Sequence, residues 1–205
     1  MVFHESSGYR LTVQLHDDRQ TRVYRARRLI DDFPVVLKVL SDEQSLTEAL
    51  PRYRREFDIT RSLTDIEGVI KVYDLLTIQN SVMIVAEDIG AESLDKVWKR
   101  SQPDLAKTLD IAARLAGILG EIHRHNVIHK DINPANIIWN EQTDELRIID
   151  FGIASQLSQE QQEFQSPTQL EGTLAYTSPE QTGRVNRKID YRSDLYSFGI
   201  TLYEL

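Results

Sequence analysis

The chain has 205 residues, of which 40% are hydrophobic and 27% charged, and its formal net charge is -8. That length suits one ordinary domain or two small lobes, and that balance excludes a disordered chain. The acidic excess argues against a nucleic-acid partner, whose phosphates are bound by cationic side chains, and the absence of cysteine excludes disulfides and thiolate metal sites. Two local basic groups, Arg25, Arg27, Arg28 and Arg52, Arg54, Arg55, read as a solvated strand edge and a solvated helix face. No apolar run approaches the ~20 residues that span a bilayer, and Met1 to Tyr9 lacks the apolar core of a signal peptide. A cytoplasmic protein is expected.

In chain order, Leu11 to Leu15 and Arg22 to Arg28 alternate in polarity and read as strands, joined by a hairpin connection at His16 to Thr21. Val35 to Leu40 is a third strand, an apolar run interrupted by Lys38. Leu46 to Leu63 has helical spacing. Val69 to Leu76 and Ser81 to Glu87 are two further strands with a turn at Gln79 and Asn80. Leu94 to Lys99 reads as a short helix. A long one follows Pro103, with Asp104 as its N-cap and Leu105, Leu109, Ala112, Leu115, Ala116, Leu119 and Ile122 as its core stripe. Val127–Ile128, a loop, Ile137 to Trp139 and Leu146 to Ile149 come next. A polar stretch from Ser155 to Thr182 follows, and an apolar helix from Asp194 to Leu205 ends the chain.

The chemistry concentrates in two segments, HKDINPAN from His129 to Asn136 and IIDFG from Ile148 to Gly152. Asp131 can accept or orient a hydroxyl proton. Asn136, five residues on, offers a neutral oxygen to a metal, and Asp150 offers a carboxylate. Oxygen-only ligands suit Mg²⁺ rather than zinc.

HKDINPAN resembles the catalytic loop of protein kinases, and DFG at Asp150 to Gly152 matches that family letter for letter. The resemblance extends both upstream and downstream of these motifs. It implies an α+β, bilobal protein-kinase-like fold: an antiparallel-sheet N-lobe with one helix and a hinge over 1–89, and a mainly helical, truncated C-lobe over 90–205, with ATP in the cleft. It implies Lys38, in VVLK, as the phosphate-binding lysine and Glu56 as its partner. It also implies Asp131 as the base, and Asn136 and Asp150 as Mg²⁺ ligands. MIVAEDIGAESL from Met83 to Leu94 resembles the hinge, with Glu87 and Ile89 meeting adenine through backbone groups, Ala86 as the residue guarding the rear of the pocket, and Val23, Val36 and Ile138 sandwiching the ring. GTLAYTSPEQ from Gly172 to Gln181 resembles the segment that closes the activation loop, in a form nearer Ser/Thr than Tyr kinases. Asp194 matches the buried aspartate that supports the catalytic loop and doubles as a helix N-cap. His129, Phe151, Val72 and Thr60 match the regulatory spine. Ser166 and Thr168 are candidate phosphosites, and Thr173 is expected to contact Asp131.

HKDINPANI and LEGTLAYTSPEQTGRVNRKIDYRSDLYSFG also resemble the N-terminal kinase-like domain of large bacterial hybrid signalling proteins, in which an ATPase module, a GAF domain and a sensor histidine kinase follow. That implies protein substrates or partner signalling domains beyond Leu205. The kinase resemblance also implies a fragment lacking the last C-lobe helices, which exposes apolar surface and leaves Glu180 unpaired, without its arginine.

Five positions depart from the kinase pattern. His16, Asp18 and Thr21 stand where the phosphate loop has glycines, Asn133 replaces the catalytic-loop lysine, and Lys130 replaces the arginine before Asp131. The expected function is therefore a Ser/Thr-type protein kinase in bacterial signalling. A pseudokinase that binds nucleotide or partners without turnover is the alternative. A small-molecule kinase of the aminoglycoside phosphotransferase kind shares the Asp…Asn loop and is the third reading.

Overall fold

The computed structural model describes residues 8–18, 21–40, 46–78, 81–101, 103–157, 174–185 and 187–205. The expected turn at Gln79 and Asn80, and Ser166, Thr168, Gly172 and Thr173, lie outside the described residues. The chain forms two compact units, Met1–Thr64 with Ile70–Gly90, and Asp65–Val69 with Ala91–Leu205. Together their elements make the mixed α+β architecture expected from the sequence.

The first unit is a five-stranded antiparallel sheet in the order β1-β2-β3-β5-β4, with one helix. Its strands are β1 (Tyr9–Asp17), β2 (Thr21–Arg28), β3 (Pro34–Leu40), β4 (Val72–Ile78) and β5 (Ser81–Glu87), and its helix is α1 (Leu46–Ser62). Alternation in β3 decides the two faces of the sheet. Val35, Leu37 and Val39 are buried in a cluster with Tyr9, Ala26, Met83 and Val85. Val36 and Lys38 therefore point to the other face. Antiparallel register places Val23 opposite Lys38, and Ala86 opposite Val36, so these four residues share that face. Helix α1 buries Ala49, Tyr53 and Phe57 in a second cluster with Leu40, Val82 and Ile84.

The second unit contains α2 (Leu94–Ser101), α3 (Leu105–Arg124) and α4 (Tyr191–Glu204). It also holds a three-stranded sheet of β6 (Glu92–Ser93), β8 (Ile137–Asn140) and β9 (Glu145–Ile148), and a ribbon of β7 (Val127–Ile128) and β10 (Ser155–Gln156). Asp104 caps α3, its carboxylate accepting from Lys107 N at 2.8 Å. The stripe that α3 buries is Ile111, Leu115, Leu119 and Ile122. Leu105 and Leu109, expected in the core, are 73% and 59% exposed, because the buried face is set by what packs on the helix and begins only at its second turn.

Two boundaries differ from the sequence reading for a tertiary reason. Strand β4 starts at Val72 rather than Val69, because Val69 makes a parallel bridge to Ile148 and Gly68 accepts from Ile148 N at 2.7 Å. Gly68 adopts φ +99°, and a Cβ there would lie 2.3 Å from Ile118, so only glycine fits this crossing without displacement. At the other end, α4 begins at Tyr191. Its N-cap is Asp190, which accepts from Arg192 N, and Asp194 instead lies fully buried in the first turn. The buried positions of α4 are Ser193, Asp194, Ser197 and Thr201, whereas Leu195, Tyr196 and Tyr203 are exposed. The helix thus approaches its neighbours through short hydroxyl side chains that are hydrogen-bonded, not through the apolar residues that dominate its sequence.

Candidate active site

In the first unit, Lys38 extends from the face of β3 that also carries Val23, Val36 and Ala86. Its Nζ lies 2.7 Å from Oε1 of Glu56 on α1. The two side chains retain only 21% and 11% of their exposure, so this pair is screened less than a surface ion pair. One helical turn before Glu56, the Tyr53 hydroxyl sits 3.3 Å from Thr21 Oγ1 at the start of β2. Burial raises the Tyr53 hydroxyl above its ordinary value, and the Thr21 bond and the Lys38 charge offset only part of this.

The β1–β2 turn closes on itself. Asp18 Oδ1 accepts from Thr21 N at 2.7 Å, Asp18 N donates to Thr21 O at 3.0 Å, and Asp18 Oδ2 lies 2.9 Å from His16 Nε2. The side chains of His16 and Asp18 and the backbone of Thr21 thus form one local network, in which the Thr21 amide is engaged by a carboxylate of the chain itself. At the end of β5, Glu87 N donates to Lys71 O and Glu87 Oε1 accepts from Lys71 N. With that N–H engaged, the backbone group Glu87 has left to offer a ligand is its carbonyl, an acceptor.

In the second unit, residues 129–136 are held from several directions. Asp194 accepts from His129 N at 2.9 Å and from Lys130 N at 2.7 Å, and its Oδ2 also lies 2.8 Å from His123 Nε2. The His129 ring donates through Nε2 to Ile149 O and accepts through Nδ1 from Asp131 N, which fixes its tautomer. The same ring meets Phe151 edge-on at 4.7 Å. Asn133 and Asn136 converge on Asp131. Asn133 Nδ2 lies 3.0 Å from Asp131 Oδ1, and Asn136 Nδ2 lies 2.8 Å from Asp131 Oδ2. Asn133 also caps the short 3-10 turn Pro134–Asn136, its Oδ1 accepting from Ala135 N and Asn136 N. Asn136 O accepts from Ile149 N, which ties the loop to the segment that carries Asp150.

Lys130 and Asp150 adopt φ values of +70° and +63°, a left-handed conformation that costs a non-glycine residue roughly 1–2 kcal/mol. Both are held there by hydrogen bonds: Lys130 N to Asp194, and Gly152 N to Asp150 Oδ1. Ile138 lies on β8 between Ser93 and Arg147. Asp131, Asn133, Asn136 and Asp150 are thus gathered within one unit, and Lys38, Glu56, Val23 and Val36 within the other.

The expectation that Glu180 lacks a partner is corrected: its Oε1 accepts from Ser193 Oγ at 2.6 Å. Burial by itself would raise its carboxyl, but hydrogen bonds from Ser193, its own backbone and Ser178, with the Arg187 charge, hold it below its ordinary value. Three contributors escaped the sequence reading. Asp190 caps α4, His123 binds Asp194, and Gln181 Nε2 donates to Lys130 O at 2.9 Å. The one available signal for His123 was its place four residues after Leu119 on the buried side of α3.

The profile of the protein kinase domain matches residues 17–205. A probable serine/threonine-protein kinase of Clostridium acetobutylicum is 28% identical over 202 residues, covering 98% of this chain and 30% of that protein. Serine/threonine-protein kinase PrkC of Bacillus subtilis is 29% identical, with 98% of this chain and 30% of the relative covered. Serine/threonine-protein kinase pkn3 of Myxococcus xanthus is 30% identical, with 96% and 37% covered. The chain therefore spans about a third of the length of these relatives.

Proposed function

The chain belongs to the protein kinase domain family, and from that premise we propose that it transfers the γ-phosphoryl group of ATP to a serine or threonine hydroxyl of a protein. The observation that carries this reading is the convergence of the Asn133 and Asn136 amides on the Asp131 carboxylate, in the unit that also presents Asp150. Asp131, so oriented, would accept the proton of the acceptor hydroxyl as its oxygen bonds to the γ-phosphorus and the bond to the ADP oxygen breaks. Lys38 would bind the α- and β-phosphates, and Glu56 would keep its ammonium in place. Val23, Val36 and Ile138 would flank the adenine, and Glu87 and Ile89 would meet its edge.

Asn136 and Asp150 would hold Mg²⁺. With Nδ2 of Asn136 committed to Asp131, the oxygen end of that amide is the one to offer a cation. An amide oxygen with a carboxylate is a donor set suited to a hard ion. When bound, the ion neutralises charge on the phosphates. Asn133 stands where a lysine would supply a further cation, so the reaction would run slower than with that charge present.

The Ser/Thr specificity is supported by the similarity to bacterial serine/threonine-protein kinases. A role in bacterial signalling with protein substrates accords with those relatives, and we propose other signalling domains as partners. Among the described residues no helix is long and apolar enough to cross a membrane, and we place the domain in the cytoplasm, where ATP is available.

A nucleotide-binding pseudokinase is the second reading. One observation favours it: the Thr21 amide at the β1–β2 turn is engaged by Asp18, where a glycine loop would offer amides to phosphate. Transfer of ³²P from γ-labelled Mg·ATP to a panel of proteins and to the chain itself, beside Asp131→Asn and Asp150→Ala, separates the two. Transfer by the wild type that both variants lose supports the kinase. Nucleotide binding with no transfer supports the pseudokinase.

A further inference from the structure

The peptide group that joins Lys130 to Asp131 is held at both ends. Its N–H, on Asp131, donates to His129 Nδ1 at 3.2 Å, and its carbonyl, on Lys130, accepts from Gln181 Nε2 at 2.9 Å. The preceding peptide is held as well, because Lys130 N donates to the buried Asp194 at 2.7 Å. Lys130 needs this restraint, since it sits at φ +70°, where a side chain is disfavoured.

The amide of Gln181 can be oriented in only one way. Its Oε1 accepts from Ser178 N at 3.2 Å and from Ser178 Oγ at 2.9 Å. A backbone N–H requires an acceptor and the Lys130 carbonyl requires a donor, so oxygen must face Ser178 and nitrogen must face Lys130. Ser178 is fully buried, which anchors one end of this bridge. Gln181 thus connects the turn that follows Thr177 to the residue immediately before Asp131.

We propose that Gln181 is a positioning residue for Asp131: it fixes the plane of the 130–131 peptide and with it the direction in which the Asp131 side chain leaves the backbone. In the sequence Gln181 is marked only as the last residue of GTLAYTSPEQ. The carboxylate is steered by Asn133 and Asn136, but those amides lie downstream of Asp131 and do not bond the upstream peptide, whose plane is set by the φ and ψ on either side of it. The upstream restraint comes from Asp194 on the 129–130 peptide and from His129 and Gln181 at the two ends of the 130–131 peptide. The role in catalysis rests on the proposed reading of Asp131 as the base.

Two variants test it. Gln181→Glu retains an oxygen for Ser178 but sets a second oxygen against the Lys130 carbonyl, so it removes the link to the loop and keeps the turn. Gln181→Leu removes both. The measurements, on the full chain, are amide hydrogen exchange over residues 129–133, the melting temperature, and ³²P transfer resolved into kcat and KM for ATP. Loss of one hydrogen bond is expected to speed exchange at 129–133 by about three- to tenfold. In Gln181→Glu it should lower kcat by a similar factor, with KM for ATP and the melting temperature close to wild type. Unchanged exchange at 129–133 in both variants overturns the proposal, as does faster exchange with unaltered kcat, or acceleration spread evenly over the chain. If the wild type itself transfers no phosphate, the kinase reading fails, and the exchange result alone decides whether Gln181 holds the loop.

Discussion

Nδ2 of Asn136 donates to the Asp131 carboxylate at 2.8 Å and to the Asp131 carbonyl at 2.9 Å. One side chain thus restrains both the backbone and the functional end of the residue it serves. The same amide that would offer its oxygen to a metal uses its nitrogen to aim the proposed base.

From this coupling, Asn136→Ala should impair two functions together. Transfer should fall by roughly 10²- to 10⁴-fold, the range over which a positioned base contributes, and the Mg²⁺ concentration needed for half-maximal rate should rise. Asp131→Asn should show the same loss of rate without the change in Mg²⁺ dependence. A Mg²⁺ titration of both variants checks this, and equal Mg²⁺ dependence would count against the dual role of Asn136.

Lys38 and Glu56 form a pair that is largely removed from solvent. Removing one member leaves the other charge poorly compensated, so Lys38→Met or Glu56→Leu should each destabilise the chain by about 1–3 kcal/mol. The double variant should cost less than the two together, because no unpaired charge remains. Urea denaturation of the three variants measures the coupling, and strict additivity would show that the pair contributes nothing of its own. Weaker ATP binding is expected for all three.

The carboxylate of Asp18 engages the Thr21 amide at the turn of the first hairpin. Asp18→Gly removes an anion and releases that N–H. The KM for ATP should fall by about three- to tenfold, the effect of one hydrogen bond with relief of local repulsion. An increase in KM would mean that the turn depends on Asp18 for its shape more than phosphate is hindered by it.

Asp144 accepts from Lys107 at 2.7 Å and from Trp139 Nε1 at 2.8 Å, with Arg114 also close. The Lys107 bond first, then Trp139 and Arg114, lower its pKa to about 2. A carboxyl held below its ordinary value stabilises the fold above about pH 4, and that contribution disappears as the pH falls toward 2. Asp144→Asn should therefore melt a few degrees below wild type at pH 7, a modest effect because the site is half exposed to solvent. The gap should narrow between pH 4 and pH 2. A gap independent of pH would assign the effect to geometry rather than to charge.

Local order in the sequence was enough to place most elements and to single out the chemistry. Once Val35 to Leu40 is a strand, Lys38 lies on the face opposite Val35, Leu37 and Val39, because strand side chains alternate whatever lies beyond them. The five-residue interval from Asp131 to Asn136 brings both into one short loop and needs no distant partner. What holds that loop was decided only in three dimensions. Asp194 reaches His129 and Lys130 across more than sixty positions of sequence, and Gln181 reaches Lys130 across fifty-one. The strip Asp65–Val69 joins the second unit although it lies between elements of the first, and α4 buries its short hydroxyl side chains while Leu195 and its tyrosines face outward. Periodicity reports which face of an element is uniform, but the partner that covers a face, and the polar groups that must be satisfied once it is covered, depend on how the whole chain is folded.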